Sequence, residues 1–499
     1  MPRIKLVELP AFKLLDGDGY NWTALRRLDP LGSKQIIAAH LEQSGFDVHV
    51  ENLKACETET ELGEVRWRDK NLTKIAVGKP WTQLDPSDAD VWGVTVNYLQ
   101  ERDVSCSLIH YLSEGGGKVV VGGSDAFAEP EPYLAAGAVA VIKDKSGGAN
   151  VSVIDYALGV EPREPLAGVV LPNGESIKAR RPPMQPEDWP LPSPHHVQQT
   201  MGRDYWECPL PDELKPVGAV MLDIGCDRNC DFCETPTYKV GYKWMSPQRA
   251  LKWVERQRDQ GAKSVIVLSD QFLGRVLWKN GRDEVLEIMK GFRELGVAAL
   301  WGNGIEVHKA TRGRSLPNGD PAPDDELVEA LWGWDGKVGC GQTYIPAERP
   351  LSGPKDYQKL LPWQHHCQMM REIVSVGVPD ITYGVIVGLP EDSHDQLQRL
   401  YDGVAELRSE LKSINPELAF RVVPYAIRPI PGTPQSNILN EMNLIRFSDP
   451  AILGGFWTAC ADTMYLDYEE VSDWQHRLSF ELSDYEPGFQ GITAITTGA

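Results

Sequence analysis

Apolar positions along the chain fall into two blocks of short apolar runs alternating with amphipathic stretches, separated by a proline-rich segment. In the first block IKLVELP, FDVHVENL, DVWGVTVNYLQ, KVVVGG and AVAVIK are compact apolar runs, while LGSKQIIAAHLEQSG and VSCSLIHYLSEGGG carry the helical period. Apolar strands bracketing amphipathic helices predict a parallel sheet with right-handed crossovers. This is a doubly wound, Rossmann-like domain over residues 1–150, with ligands expected at the strand C-termini. Residues 151–215 keep neither period and contain RRPPMQPEDWPLPSP and CPLPDELKP, which predicts a linker whose tryptophans still pack on something. From Val217 the alternation resumes, with AVMLDIG, SVIVLSD, VAALWG, KVGCGQ, DITYGVIVGL and LAFRVVPYAI as strands and a first helix opened by Ser246 and Pro247. Six strand–helix repeats predict a partial (β/α)6 barrel over residues 216–435, whose chemistry belongs at the C-terminal ends of its strands. Residues 436–499, with FWTACADTMYLDYEEVSDWQHRL, read as a small helical extension, and the fold class is α/β.

Length and charge narrow the functions open to such a chain. With 499 residues it exceeds a single hydrophobic core, and 42% apolar residues let it bury several. A net charge of -21 argues against nucleic acid or an anionic membrane as the main partner, since both attract basic surfaces. No apolar run approaches membrane-spanning length, and MPRIKLVELPAF lacks the features of a signal peptide, so a cytoplasmic location is expected. Nine cysteines, six of them scattered singly, make no disulfide framework.

The other three cysteines stand together in GCDRNCDFCETPTY, immediately after the first barrel strand, as Cys226, Cys230 and Cys233. Three thiolates at C-x-x-x-C-x-x-C spacing can hold three irons of a 4Fe-4S cubane and leave the fourth open to a ligand. A structural zinc wants four closed ligands, and no fourth Cys or His stands nearby. A four-cysteine electron carrier would need Cys340 or Cys208 from a distance, and three buried core cysteines would not be interleaved with Asp227, Arg228, Asn229 and Asp231. The motif resembles the signature of the radical S-adenosylmethionine (SAM) superfamily, with Phe232 at its aromatic position. The resemblance implies a 4Fe-4S cluster that chelates SAM through its amino and carboxylate groups and cleaves it to a 5'-deoxyadenosyl radical. It further implies SAM contacts from Phe232, from Ser269, Asp270 and Gln271 after the second strand, and from Gln342 to Glu348 in GQTYIPAE. Val387 and Gly388 in VIVGLP would lie beside adenine, and PIPGTP would close the last strand. The family's glycine-glycine-glutamate is absent.

In the first domain the opening strand ends in LPAFKLL, without the glycine pattern that seats a dinucleotide pyrophosphate. The order of PLGSKQIIAAHLEQSGFDVHV, VWGVTVNY and VVVGGSDAFAEPEPYLAAGAVAVIKDKSG resembles the cobalamin-binding domain that precedes the radical domain in one large subfamily. By that resemblance Asn97, Tyr98 and Leu99 lie under the lower corrin face, and Gly122, Gly123 and Ser124 let the corrin ring or its tail approach the backbone. The histidine motif that ligates cobalt in some relatives is missing; Asp47 and His49 read as strand residues. The subfamily's commonest reaction, which the resemblance implies here, is methylation of an unactivated carbon of a small-molecule or peptide substrate through methylcobalamin. A flavodoxin- or ferredoxin-type protein would donate electrons. The alternatives are a cobalamin-dependent cyclase or ring-rearranging enzyme and, from another class, a non-catalytic iron-sulfur carrier. Trp244, Trp301, His308 and Tyr344, near predicted strand ends, are candidates for the substrate pocket.

Overall fold

A computed structural model describes residues 1–23, 29–203, 210–312, 321–353 and 357–484. Its first sheet runs, edge to edge, Ser176–Ile177, Val169–Val170, Ala140–Ile142, Val119–Gly122, Val91–Thr95, Arg3–Glu8 and Asp47–Asn52. The last five of these are mutually parallel. Chain order reverses between Arg3–Glu8 and Val91–Thr95, and at that crevice open α/β sheets take their ligands. Because strand side chains alternate, Ile4 and Leu6 enter a core shared with the helices Gly32–Gln43 and Asn150–Leu158. Val7, Trp92 and Val94 face the opposite core, built on Arg102–Glu114.

The expected end of this domain near residue 150 falls at the start of a helix that packs Val153, Ile154 and Ala157 into the same layer. Two antiparallel strands, too short to show a period, then extend the sheet through the segment read as linker. Further on, Trp189 is buried and its indole N–H donates to the Ser146 carbonyl at 2.8 Å. A three-stranded antiparallel sheet, Ala11–Leu15, Lys70–Val77 and Glu59–Trp67, is an addition the sequence reading lacked.

The second large sheet has six parallel strands in strict chain order: Val217–Val220, Ser264–Val267, Ala298–Trp301, Cys340–Glu348, Asp380–Val387 and Ala419–Ala426. The helices Pro247–Asp259, Gly281–Leu295, Asp325–Trp332, Trp363–Ser375 and His394–Ile414 connect them, the first capped by the Ser246 hydroxyl. Valine, isoleucine and alanine fill the strands because both faces are covered. Among the described residues the first and last strands do not pair, so the sheet is open.

The C-terminal segment joins the two sheets. Its helix Tyr468–Leu482 lies on Ala419–Ala426, where the Gln475 amide donates to the Pro424 and Phe456 carbonyls at 2.8 Å each. Phe456, Trp457 and Cys460 complete the apolar core of the first domain beside Phe12, Trp22 and Trp67. Lys74 reaches Asp449 of this segment and Asp103 of the first domain, each at 2.7 Å. A second joint is a buried amide cluster in which the Gln35 carbonyl accepts from Trp253 at 3.0 Å and from Gln257 at 2.8 Å.

At the crevice Glu8 ends its strand between two buried lysines, Lys54 at 2.9 Å and Lys34 at 3.2 Å. Burial alone would raise the Glu8 carboxyl, but Lys54 and then Lys34 outweigh it and hold it at about 2. Glu8→Gln removes the ion-pair partner that both buried ammonium groups share, and a loss of about 3–5 kcal/mol is expected in denaturant unfolding. A carboxylate with a lowered folded pKa stabilises fully above its unfolded value. In the native chain this contribution should fade as pH falls from about 4.5 towards about 2, and the variant should lack that acid-dependent component.

Candidate active site

The first barrel strand leads into a two-residue ribbon, Asp223–Ile224 paired antiparallel with Lys243–Trp244, and the cysteine loop is closed between its arms. Gly225 opens the loop with a φ of 75°, and a Cβ there would sit 2.1 Å from the Gly241 carbonyl oxygen, so only glycine allows the loop to close. Its N–H donates to Asp270 Oδ2 at 2.7 Å. Cys226, Cys230 and Cys233 follow as partly exposed free thiols, with the Cys233 N–H donating to the Cys230 carbonyl at 3.2 Å. On its far side the loop is tied by the Gln435 N–H, which donates to the Asp231 carbonyl at 3.1 Å at the start of the helix Pro434–Glu441. PIPGTP leads directly into that helix, and Thr433 caps it.

Around Cys226 the chain buries charge. Glu306, only 4% exposed, receives Arg228 Nε at 3.3 Å, Gln271 Nε2 at 3.0 Å and Lys309 Nζ at 3.1 Å, and Lys309 also pairs with Asp227. Burial pushes the Glu306 carboxyl up, but His308, Lys309 and Arg228 together pull it down to about 2. On the other side of the loop Lys359 pairs with Glu348 and stands 5.6 Å from the centre of the Phe232 ring. Burial raises all three thiols, Cys230 to about 11, while Lys309 acts against it at Cys226 and Lys359 acts against it at Cys230 and Cys233. A metal would have to deprotonate them, as iron and zinc both do.

The donor set suits a cubane better than a single ion. Among the described residues no three His, Cys, Asp or Glu side chains gather at one point, as a mononuclear site requires. A cubane instead offers each thiolate its own iron and needs them spread. Cys340 cannot be a fourth ligand: it is fully buried at the N-terminal start of its strand, with its thiol directed at the Gln342 carbonyl. Cys208 lies outside the described residues.

The residues expected at SAM divide sharply. Ser269, Asp270 and Gln271 do end the second strand beside the cysteines, but they hold protein. The Ser269 hydroxyl accepts from the Leu222 N–H at 3.2 Å, Asp270 takes Gly225, and Gln271 bridges Glu306 and the Cys226 sulfur, the latter at 3.9 Å. Phe232 packs edge-on to Tyr357 at 5.6 Å. Glu348 ends its strand with a φ of 56°, uncommon outside glycine. Gln342 requires correction: it lies near the opposite end of that same strand and donates to Asp380, the first residue of the next, at 3.2 Å. Val387 ends the fifth strand and Gly388 turns away with a φ of 79°; a Cβ there would meet Val471 of the C-terminal helix at 2.9 Å.

In the first domain Asn97 Oδ1 accepts from the Ser124 N–H at 3.2 Å, tying the loops after two adjacent strands together. Tyr98 is exposed beside Leu99, which starts a short 3-10 turn. Gly122 ends its strand, and Gly123 has a φ of 107° with the Val96 carbonyl oxygen 2.1 Å from where a Cβ would be. The Ser124 hydroxyl meets the Tyr238 hydroxyl of the cysteine loop at 2.8 Å and accepts from Lys145 at 2.7 Å. His49 is bound to Asp47 at 3.0 Å on the edge strand.

Of the pocket candidates, His308 sits 3.6 Å from Glu306, within the buried charge cluster. Tyr344 faces the interior of the sheet, because its neighbour Thr343 accepts from Trp332 on the helix side at 3.1 Å. The Tyr344 ring fills the space that a Cβ on Gly304 or Gly384 would need. Trp301 requires correction: it is buried among the outer helices, donating to the Leu331 carbonyl at 2.9 Å. Trp244 is stacked on Tyr242 and bonded to Glu284, which likewise gives it a packing role. Glu306, Lys309, Lys145 and Tyr238 were not singled out from sequence, and Asp227 and Arg228 were named only as polar residues of the cysteine loop. Their placement on loops after strands was the available signal.

Residues 224–403 match the model of the Radical SAM superfamily, which implies a 4Fe-4S cluster and SAM. A tRNA-2-methylthio-N(6)-dimethylallyladenosine synthase of Aquifex aeolicus (strain VF5) is 23% identical over 246 residues, 48% of this chain and 49% of that protein. The chain therefore spans about half the length of that curated relative. Among solved structures, the cobalamin-dependent S-adenosylmethionine radical enzyme OxsB with aqua-cobalamin and S-adenosylmethionine bound aligns at TM-score 0.63 and 14% identity, over 95% of this chain and 66% of its own. The radical S-adenosylmethionine methyltransferase TsrM from Kitasatospora setae, with cobalamin and a 4Fe-4S cluster bound, aligns at TM-score 0.56 and 13% identity, over 96% and 85%. Residues 224–403 thus match a radical SAM domain, and nearly the whole chain has a fold similar to that of these two enzymes.

Under the cysteine loop, Asp223 is fully buried, and burial pushes its carboxyl up to about 6 against the partial offset of Arg275. A raised carboxyl keeps its proton in the folded state over a range where the unfolded chain has lost it, so stability falls as pH rises from about 4 to about 6. Asp223→Asn, still able to accept from the Gln271 N–H, should escape that fall. Relative to the native chain it should gain up to about 3 kcal/mol between pH 4 and pH 7 in denaturant unfolding of the metal-free protein. An unchanged difference at the two pH values would show that Asp223 ionises normally.

Proposed function

We propose that the chain is a cobalamin-dependent radical SAM methyltransferase acting on an unactivated carbon of a small-molecule or peptide substrate. The observation that carries this reading is the meeting of the two domains at Ser124 and Tyr238, 2.8 Å apart. It sets the ligand edge of the first sheet directly against the cysteine loop of the second, so that one pocket between domains can be lined by both. When bound, the cluster supplies the electron that cleaves SAM, and cobalamin supplies the methyl carrier.

The chain's own residues do the positioning. Asn97, Gly122 and Gly123 bring two backbone loops together at the first sheet's edge, a flat approach with Tyr98 and Leu99 beside it. Asp270 and the Glu306 cluster hold the cysteine loop in place, so Cys226, Cys230 and Cys233 enter the pocket on a frame fixed before any ligand arrives. Glu348 and Gly388 end neighbouring strands on that side, where SAM contacts are expected. His308 and Tyr344 are the polar groups nearest the same end that could face a substrate. A net charge of -21 favours a small-molecule or peptide substrate over a polyanion such as tRNA. His49 lies in the middle of the edge strand, opposite Lys5, and not at the strand end where the first sheet would take a ligand.

The test is metal content after anaerobic purification from cells supplied with cobalamin. About four irons and about one cobalt per chain are expected, with iron lost and cobalt kept when Cys226, Cys230 and Cys233 are changed to alanine. Methyl-labelled SAM should then label the product. Iron without cobalt would overturn the cobalamin assignment, and zinc alone would overturn the cluster as well.

A further inference from the structure

The charged groups on the two sides of the cysteine loop are not equivalent. Beside Cys226, Arg228 and Lys309 are matched by Glu306 and Asp227 in a closed set of ion pairs. Beside Cys230 stands Lys359, whose side chain is 13% exposed and pairs with Glu348. Its ammonium stands 5.6 Å from the centroid of Phe232, the residue that precedes Cys233. Glu348 reaches it from the end of its strand through a backbone conformation at φ 56°, which is strained in a residue other than glycine. Strain of this kind persists where surrounding structure holds it, and here it brings a carboxylate to a buried lysine next to two cysteines.

We propose that Lys359 and Glu348 form a charge pair that sets the reduction potential of the cluster held by Cys226, Cys230 and Cys233. The inference rests on reading those cysteines as cluster ligands. Reduction adds one electron, taken from an external one-electron reductant, and therefore one unit of negative charge to the cluster. A fixed positive charge nearby in a partly dehydrated site stabilises the reduced form, and a fixed negative charge stabilises the oxidised form. Lys359 is thus a positioning and tuning residue that acts through the cluster.

The two members of the pair must act with opposite sign, which a merely structural role would not produce. In the reconstituted full-length chain without SAM, redox titration followed by electron paramagnetic resonance should give a more negative midpoint for Lys359→Met and a more positive one for Glu348→Gln. Lys359→Arg should stay near the native value. Iron content and the visible absorption of the oxidised cluster should be the same in all four proteins. Equal midpoints at full iron occupancy, or shifts of the same sign for both variants, would overturn the proposal while leaving the cluster assignment intact. A native chain that assembles no cluster would overturn both.

Discussion

Burying the Glu306 carboxylate among Arg228, Lys309 and Gln271 is the interaction on which the site depends. A loop of eighteen residues closed between Asp223–Ile224 and Lys243–Trp244 has few regular backbone bonds of its own, so its shape must come from what it touches. Arg228 and Asp227 belong to that loop, whereas Glu306 and Lys309 come from the loop after the third strand and Gln271 from the end of the second. Three separate strand ends thus converge on one desolvated set of charges. Removing one member would leave its partner buried and uncompensated, a cost of about 3–5 kcal/mol. The arrangement specifies one loop geometry even where its net contribution to stability is small.

The same reasoning explains why Ser269, Asp270 and Gln271 serve the protein. A loop of partly exposed thiols beside polar residues could take several conformations, and each of these side chains removes one. Asp270 fixes the residue before Cys226, Ser269 fixes Leu222, and the Gln271 backbone binds Asp223 at 3.0 Å. The end of the second strand is therefore a scaffold for the cysteine loop.

How much of this could be read from the residues depended on whether the signal was local. Three cysteines within eight residues on a polar loop after an apolar strand are a local pattern, and they were legible. The alternation of strands and helices was equally plain, because parallel strands covered on both faces are continuous apolar runs. Gln342 was misplaced because its strand is nine residues long, Cys340–Glu348, and the pattern does not say which end of a long strand a polar residue occupies. Trp301 ends its strand as expected, but which face it takes depends on a one-residue phase that the sequence leaves open. Glu59–Trp67 escaped notice because its charged residues, Glu59 and Glu61 and then Glu64 and Arg66, change phase at the bulge between Glu61 and Gly63, which breaks the period of two. The Glu306 cluster was beyond reach for a different reason: Arg228 and Glu306 are separated by seventy-eight positions, and only the assembled sheet brings them together.

A pocket between domains works only if the domains keep their distance, and here that distance is set away from the pocket. The C-terminal segment contributes Phe456, Trp457 and Cys460 to the core of the first domain while its helix covers the last strand of the second. The Trp457 N–H donates to the Trp22 carbonyl at 3.0 Å, and the Trp67 indole donates to the Ala459 carbonyl at 3.1 Å. These are core contacts shared by two sheets, unlike the polar and hydrated contacts of domains that move freely. The amide cluster of Gln35, Trp253 and Gln257 joins the first helix of one domain to the first helix of the other. With both joints closed by buried groups, opening the interface would expose the shared apolar core to water, which is costly. The meeting of Ser124 and Tyr238 is then a consequence of those joints. The spacing between the C-terminal edges of the two sheets is thus built into the folded chain.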